Sequence, residues 1–500
     1  MNFIKRLFGK KKAKAKRHYM SSMINSLTSD WVTSSLSADQ GVQQNLTTIR
    51  ARSREQYNNN AYIKQYIRLC SKNVIGATGI SLQSRVRNSY DELNLKLNSK
   101  IENAFTKWGV KGCCDVSGQL SWVDCQKLFL ETVARDGECL VRLHRNFDNP
   151  FGFALEFIEA DCLDINFNKN MENGSRIRMG IELDTWNRPR RYFLKRNVHY
   201  DYNYSVCANN NYDIVVASNI IHGFKVERPG QTRGIPWTHA ALFQLHMLNA
   251  YQNAELIASR VAACKMGFFA PNEMFDPELL ADSIENGKMI KDATPAKFEM
   301  LLPGVDFKSF DPQHPTDAFA DFSKACLRAA SAALGVSYNE LANDLEGVNY
   351  SSIRAGLIGE RDYWSTLQNW VISSFCEPVF SAWLNNASAL GHIPNIALDK
   401  LDADHWQPPG WDWVDPEKDH KGMKLALETF QKSWSDLVRE NGGDPVKIIQ
   451  QVKHEQNWFK EQGLEELFAQ IYKPSKSNHH GDTNEAKNQQ FSANQKPNTG

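Results

Sequence analysis

Four carboxylates fall close together in the middle of the chain, at Glu156, Glu159, Asp161 and Asp164. Paired carboxylates can work as general acid and general base, or can supply oxygen ligands to a divalent cation. The surrounding stretch carries no histidine, and its one sulfur, on Cys162, fits no usual ligand spacing. Glu156 and Asp164 also need not share one face of the predicted strand. We therefore predict neither a catalytic pair nor a metal site here, and no cofactor.

Sequence motifs for covalent chemistry are missing as well. The chain contains no G-x-S-x-G elbow, no H-E-x-x-H zinc helix and no Walker A phosphate loop. Its ten cysteines are irregularly spaced and include the vicinal pair Cys113-Cys114, so they match neither a C-x-x-C ligand set nor a disulfide framework. We predict free, mostly buried thiols, no catalytic residue and a protein that is not an enzyme.

A second acidic stretch has a different character. Residues 337–349 are rich in Asn and Ser and contain Glu340, Asp344 and Glu346, with no Lys or Arg before Arg354. Such a segment predicts a flexible polar loop that repels phosphate groups. Arg354 and Arg361 lie on the following helix, where they either face nucleic acid or pair with acids of a neighbouring subunit.

The N-terminus carries the opposite charge. The first seventeen residues hold eight Lys and Arg and no acid, so the rest of the chain sums to −7 within a total of +1. No apolar segment follows that would make this a signal peptide. A solvated flexible arm, contact with DNA or an assembly partner, and contact with a membrane surface all stay open. The basic residues in question are Lys10, Lys11, Lys12, Lys14, Lys16 and Arg17.

Apolar spacing predicts the elements that carry these groups. A helix before Gly76 holds four arginines, at 50, 52, 54 and 68, which we interpret as a solvated face. Further helices are predicted at 93–108 and 121–135, and strands at 138–144, 154–167, 176–184 and 190–196. Beyond the long central helices, predicted helices cover 417–441 and 445–462, and residues 473–500 have the composition of a disordered tail.

The helix predicted at 237–264 is rich in alanine. Small side chains let helices approach closely, so this helix is expected to pack against copies of itself, or else inside its own chain. A compact insert separates it from a second helix at 316–334, and a long aromatic helix begins near Tyr350. No uncharged apolar run is long enough to cross a membrane. The segment HWQPPGWDWVDP, from His405 to Pro416, predicts a buried aromatic anchor.

Five separated passages of this chain resemble the lambda-like family of tailed-phage portal proteins. They occur in the family's order, and the resemblance covers about residues 45–460. The passages are N-x-x-G-x-x-G-I at 73–80, F-I-E-A-D at 157–161 with G-I-E-L-D at 180–184, the strand and basic turn at 219–237, G-V-S-Y-N-E-L at 335–341 with N-Y-S-S-I-R-A-G at 349–356, and P-P-G-W-x-W-V-D-P at 408–416.

The resemblance implies a mostly helical α+β portal fold. Its parts would be a basic flexible arm at 1–40, a wing at 41–235, stem helices at 236–265 and 313–336, a small α/β clip at 266–312, a tunnel loop with its long helix at 337–385, a helical crown at 386–472 and a disordered tail at 473–500. In this scheme the tunnel-loop residues are Asn339, Glu340, Asn343, Asp344, Glu346, Asn349, Tyr350, Ser351 and Arg354. The stem-packing residues are Ala250, Ala254, Ala258, Arg260, Lys324 and Arg328.

The resemblance also implies a function. Identical chains, usually twelve, would form a ring at one capsid vertex of the virion, assembled in the host cytoplasm, and double-stranded DNA would pass through it during packaging and ejection. The terminase large subunit would dock on the clip, capsid or scaffold proteins on the wing, and head-completion or tail-connector proteins later. No membrane partner is expected.

Two hypotheses from other classes compete with this one. A monomeric or dimeric nucleic-acid-binding protein would use the basic arm and bind DNA with a steep salt dependence. A hydrolase with an unrecognised acidic site would need Asp161 or Asp164 together with a divalent metal.

Overall fold

The structure, a computed structural model, divides into two compact units, Met1–Pro408 and Pro409–Gly500. It describes residues 35–472 and, before them, residues 26, 30, 32 and 33. The exceptions within this span are residues 89, 91, 173, 196–211, 264–266, 272–304, 310–318, 347–349, 395–403 and 412–414. The basic arm residues, Asn349, most of the predicted clip and the predicted tail therefore lie outside the described residues.

Two consecutive helices open the first unit, α1 at Ala38–Asn59 and α2 at Ala61–Cys70. Ser37 begins α1 with a reciprocal capping box, and the side chain of Asn60 caps α2. A single wider turn at Ser71–Ile75 then leads to Gly76, whose φ of 66° suits glycine. The predicted helix and its glycine stop are confirmed, with a break at Asn60 that the spacing does not reveal.

Strand β1 at Ser81–Ser84 precedes helices α3 at Leu95–Trp108 and α4 at Trp122–Asp136. A second capping box begins α4 at Ser121, and Gly137 ends it with a φ of 92°. A Cβ placed on Gly137 would lie 2.5 Å from the carbonyl carbon of Ile235, so only glycine fits this close approach. Both predicted helices are confirmed.

The strands of the first unit form two antiparallel sheets. Their bounds are β2 Glu138–Arg145, β3 Phe153–Ile158, β4 Lys169–Asn170, β5 Arg176–Arg178, β6 Ile181–Leu183, β7 Pro189–Lys195, β8 Tyr212–Val216 and β9 Ile220–Phe224. One sheet has the order β3-β2-β9, and the other runs β4-β5-β6-β7-β8. Leu140, Ile158 and Tyr192 belong to one hydrophobic cluster that joins the two sheets.

Two strand predictions are wrong in their extent. The strand predicted at 154–167 stops at Ile158, because Ala160–Cys162 form a 3-10 turn. The strand predicted at 176–184 is two strands, since Met179 and Gly180 adopt φ values of 46° and 83° and reverse the chain. Alternating apolar residues continue through both turns, so the pattern alone does not show them.

Two long helices, α5 at His239–Ala263 and α6 at Phe319–Leu334, flank strands β10 at Gly267–Pro271 and β11 at Val305–Ser309, which pair antiparallel. The Gln244 side chain donates to the carbonyl of Cys326 at 3.1 Å, and the ring of Tyr251 lies 5.6 Å from that of Phe319. Because contacts advance along α5 as they recede along α6, the two helices are antiparallel. The described residues thus show the predicted order of helix, insert and helix.

Helices α7 at Tyr338–Ala342, α8 at Tyr350–Val371 and α9 at Glu377–Ala389 follow, and strand β12 at Asp404–Gln407 ends the first unit by pairing with β1. The predicted start of the long helix at Tyr350 is confirmed. Residues 338–342 are helical instead of loop, because Ser337 caps the backbone N–H of Glu340.

An aromatic core joins β12 to the helices. The ring of Phe105 has five aromatic neighbours with centroids 5.0–5.9 Å away, namely Trp108, Trp122, Phe380, Trp383 and Trp406. Trp406 is buried, which confirms the predicted aromatic anchor at this position. Trp413 of the same phrase lies outside the described residues.

The second unit is entirely helical over its described residues. It contains α10 at Pro416–Glu428, α11 at Trp434–Glu440, α12 at Pro445–Glu461 and α13 at Glu465–Tyr472. The helix predicted at 417–441 is thus two helices, separated by a turn around Phe430. This unit begins at Pro409, whereas the predicted crown begins at residue 386.

The described cysteines are all free thiols. They comprise the buried Cys70, Cys114, Cys125, Cys139, Cys162 and Cys376 and the half-buried Cys113 and Cys326. This confirms the prediction for these positions. None of the helices in the described ranges has both the length and the hydropathy of a membrane span.

A buried carboxylate ties four segments of the first unit together. Glu138 lies fully buried at the start of β2 and accepts hydrogen bonds from Arg50, Arg233 and His222 at 2.6, 2.9 and 2.9 Å. The backbone N–H of Gly234 donates to it as well. Burial alone would raise the pKa of Glu138, but the charge of Arg233, the hydrogen bond from His222 and the charge of Arg50 hold it well below 4.5.

Two further carboxylates extend this cluster toward the surface. Asp136 pairs with Arg54 and Arg135, and Asp161 pairs with Arg50 and Arg54. The prediction of a solvated arginine face is therefore wrong for residues 50 and 54, because partners distant in sequence neutralise them. Asp161, one of the two acids named in the hydrolase hypothesis, is paired with two arginines.

Changing Glu138 to Gln is expected to destabilise the first unit by about 3 kcal/mol or more, because Arg50 and Arg233 would stay buried without a counter-charge. Urea unfolding monitored by tryptophan fluorescence measures this change. Glu182→Gln is the matched control, since Glu182 is also buried but its partner Arg191 is 42% exposed. It should cost less than about 1 kcal/mol, and equal losses in both variants would contradict the role given to Glu138.

The same cluster predicts a pH dependence of stability. Since the pKa of Glu138 is depressed in the folded state, its contribution is complete above pH 4.5 and declines as the pH falls toward the folded pKa. The difference in unfolding free energy between wild type and Glu138→Gln should therefore be constant near pH 7 and shrink on acidification below 4.5. Urea titrations from neutral to acidic pH measure it, and a difference that grows on acidification would refute the assignment.

Candidate functional site

The loop between α6 and α8 is shaped by two residues with left-handed backbone. Gly335, with φ of 71°, ends α6, and Asn343, with φ of 52°, ends α7. Between them Ser337 begins α7, and its backbone N–H donates to Glu360 of α8 at 3.4 Å. Burial raises the pKa of Glu360. The loop therefore starts from a short helix held against α8.

Helix α2 supports the same short helix from another direction. The side-chain amide of Gln65 donates to the backbone carbonyl of Glu340 at 3.2 Å, and Leu341 is buried. Asn339 and Glu340 are only half-buried on α7. The part of the predicted tunnel loop that remains irregular in the described residues is therefore 343–346.

Each acid of this short segment has a partner. Tyr338 donates its hydroxyl proton to Asp344 at 2.6 Å, and this bond, with one from the backbone N–H of Glu346, lowers the pKa of Asp344. Lys324 of α6 lies 3.2 Å from Glu346. The guanidinium of Arg328 stands 5.5 Å above the ring of Tyr338. The segment itself contains no cation, but α6 places two cations beside it, so its surface is less acidic than the sequence alone predicts.

Helix α5 has two distinct faces. One packs within the chain, where Ala241, Leu245 and Leu248 are buried. The opposite face is exposed and apolar, with Phe243 77%, Met247 54% and Ile257 63% exposed, at the helical spacing shared by Ala250 and Ala254. Phe322 of α6 is 54% exposed. Exposed apolar faces of this kind mark interaction surfaces.

The other predicted residues are placed as follows. Ala250 and Ala254 are exposed, Ala258 is half-buried and Arg260 is exposed near the end of α5. Lys324 pairs with Glu346 of the loop segment, and Arg328 lies over the ring of Tyr338 on α7. Tyr350 and Ser351 lie in the first turn of α8, and Arg354 is half-buried on the same helix.

The structure also brings together residues that sequence reasoning missed. Glu360 and Gln65 contact backbone groups at the start of the loop from distant parts of the chain, so no local pattern indicates their role. Tyr338 bonds the side chain of Asp344, six residues further along the chain. His144 lies 2.6 Å from Glu156 across paired strands, although the sequence around Glu156 contains no histidine. Asp164 accepts from Tyr212 at 3.0 Å. In the described part of the chain, no group of three or more His, Cys, Asp and Glu side chains could hold a metal ion.

Comparisons with known proteins bear on the whole chain. The family model of the phage portal protein, lambda family, matches residues 25–368. The chain is 40% identical over 432 residues to the probable portal protein of Halomonas phage phiHAP-1, covering 85% of this chain and 83% of that protein. It is 22% identical to portal protein B of Escherichia phage lambda and 23% identical to the portal protein of Escherichia phage N15, covering 71% of this chain and 72% of each.

A chain from the virion of a native gene transfer agent particle aligns with a TM-score of 0.44 and 12% identity, over 79% of this chain and 94% of that chain. The family match spans more than half of the sequence, and the Halomonas phage relative is similar over most of its length. The chain therefore belongs to the lambda family of phage portal proteins, structural virion proteins that connect head and tail.

Proposed function

We propose that identical copies of this chain form a ring around a channel through which double-stranded DNA is packaged and later ejected. The observation that carries this proposal is the exposed apolar face of α5, which lies opposite the face that packs on the chain's own core. In a ring of identical subunits each copy offers such a face to its neighbour, so the face is covered by assembly.

The dimensions of helices support a channel of suitable width. Twelve helices of about 10 Å diameter placed side by side leave a central bore of roughly 28 Å. A DNA duplex passes through an opening of this size, and the segment 343–346 would narrow it. Subunit number depends on small interface angles, and twelve is the number that the family resemblance implies.

The charges beside the loop suit a channel that lets DNA pass and does not bind it tightly. A protein that makes roughly six to ten phosphate contacts holds DNA tightly. Here Asp344 and Glu346 stand beside Lys324 and Arg328, so the described loop surface carries both signs in close alternation. Phosphates meet neither a strong repulsion nor a cluster of free cations at this surface.

The remaining partners are assigned by analogy within this proposal. The terminase large subunit would dock on residues 266–312, capsid or scaffold proteins on residues 41–235, and head-completion or tail-connector proteins on the terminase face after packaging. The basic residues from Lys10 to Arg17 would contact DNA or an assembly partner. Assembly would take place in the host cytoplasm.

Replacing Ala250 and Ala254 together with Leu should prevent ring formation, because larger side chains on the exposed face of α5 force adjacent stem helices apart. Negative-stain microscopy should show wild-type rings with a central hole and few or none for the variant. Unfolding of the subunit should change by less than about 0.5 kcal/mol, since both positions are exposed. If the wild-type protein formed particles without a central hole, the proposed function would be refuted.

Ala330→Leu is the matched control for this experiment. Ala330 is fully buried on α6, so overpacking there should destabilise the subunit itself by about 1–3 kcal/mol. A normal ring from the Ala250 and Ala254 double variant would show that this face is not the contact between copies.

Neutralising the loop with Asp344→Asn and Glu346→Gln should leave ring assembly intact but impair DNA packaging. The change leaves Lys324 and Arg328 beside the channel without their acids, and free cations bind phosphate more strongly at low salt. The yield of DNA-filled heads and the retention of DNA on purified rings as a function of salt measure this effect. Glu417→Gln on α10, which removes an exposed acid paired with Lys421, is the control and should package normally. Unaltered packaging by the loop variant would place these acids away from the DNA path.

A further inference from the structure

The end of α10 combines an exposed aromatic side chain with an unfavourable backbone. Phe430 is 95% exposed, and its φ is 57°. The left-handed region disfavours bulky side chains, and glycine or asparagine is the usual residue at such a helix end. Within a single chain this residue therefore carries both backbone strain and the free-energy cost of an aromatic ring in water.

Hydrogen bonds fix the left-handed conformation. The backbone N–H groups of Gln431 and Lys432 both donate to the carbonyl of Ala426, at 2.9 and 3.3 Å, and the N–H of Phe430 donates to Leu427 at 3.2 Å. This arrangement closes the last turn of α10 and leaves no freedom for Phe430 to relax into a helical conformation. The ring is presented on a rigid turn.

The second unit also lacks a core of its own. Among its described residues only Leu437 and Pro445 are buried. Its exposed large apolar side chains are Leu425, Phe430, Trp434, Ile448, Ile449, Trp458, Leu464, Leu467, Ile471 and Tyr472. A unit of this size is more stable when more of its apolar surface is buried, so these exposed apolar faces favour a partner that covers them.

We propose that Phe430 is a contact between copies, seated on the apolar surface of the second unit of the adjacent subunit, so that this unit completes its core when the ring closes. This inference rests on the proposed ring. Ring symmetry brings the same unit of neighbouring chains together head to tail, and each copy carries both the projecting ring and an apolar surface to receive it.

The charges of the unit favour another copy over nucleic acid. Several of its charged side chains pair within the chain, as Lys418 with Asp415, Lys421 with Glu417 and Lys432 with Glu440. Its described residues carry more Asp and Glu than Lys and Arg, which disfavours contact with phosphate groups. An apolar partner surface fits the exposed side chains, and every other copy of the chain carries such a surface.

Two substitutions at one position test the proposal. Phe430→Gly and Phe430→Ala both remove the ring, but only glycine relieves the left-handed strain. Mass photometry of full-length rings on dilution should show that both variants dissociate at a protein concentration at least about tenfold higher than wild type. Urea unfolding of dissociated subunits should give Phe430→Gly a higher midpoint than Phe430→Ala. Variant rings that resist dilution as well as wild type would overturn the proposal.

Hydroxyl-radical labelling supplies an independent readout. Phe430 should be oxidised several-fold more slowly in purified rings than in dissociated wild-type subunits. Equal oxidation of Phe430 in both states would overturn the proposal. Protection of Phe430 that appeared only in assembled virus particles would also overturn it, because it would show that another virion protein covers this residue. If the wild type forms no ring, the proposed function fails before any variant is compared.

Discussion

The buried Glu138 carboxylate is the constraint on which the first unit depends. Arg50 and Arg233 come from separate segments and reach it in the interior, where neither guanidinium is stable without an opposing charge. Apolar packing would tolerate small displacements of α1 relative to β2, but paired guanidinium and carboxylate groups accept only a narrow geometry. One acid thereby fixes α1, β2, β9 through His222, and the loop that leads into α5.

Contacts at the end of α1 and along α2 also position α5 and the loop. Asn60, at the break after α1, donates to the carbonyl of Leu245 on α5 at 3.3 Å, and Gln56 lies 3.2 Å from His246. Helix α2 continues from the same break and holds α7 through Gln65. The exposed face of α5 and the acidic segment are therefore both positioned by the same junction of α1 and α2. In the proposed ring, subunits that met through α5 would also align their loops.

Several element ends that depend on single residues can be predicted from the sequence. Ser121 and Gly137 mark the two ends of α4 because capping and left-handed geometry depend on single residues, and Tyr350 begins α8 as the spacing indicates. The burial of Arg50 cannot be predicted from its surroundings in the sequence, since its partner Glu138 lies 88 positions away. For the same reason β12 could not be matched with β1, and the loop-positioning roles of Gln65 and Glu360 depend on contacts that only the folded chain creates.

The difference between local contacts and contacts distant in sequence also explains the charge around the loop. Read along the chain, Asp344 and Glu346 form an acidic segment without a cation, which would repel DNA and one another. In the fold, α6 places Lys324 and Arg328 near these acids. The hydroxyl of Tyr338 also donates a hydrogen bond to one carboxylate oxygen of Asp344. In a ring, repulsion between the acidic segments of neighbouring subunits would oppose ring closure. Lys324 and Arg328 on each subunit's own α6 would reduce this repulsion. In the proposed ring, a surface that faced DNA and lay beside its own copies would need this balance of charge. An excess of cations would hold the DNA, and an excess of acids would weaken the contact between subunits.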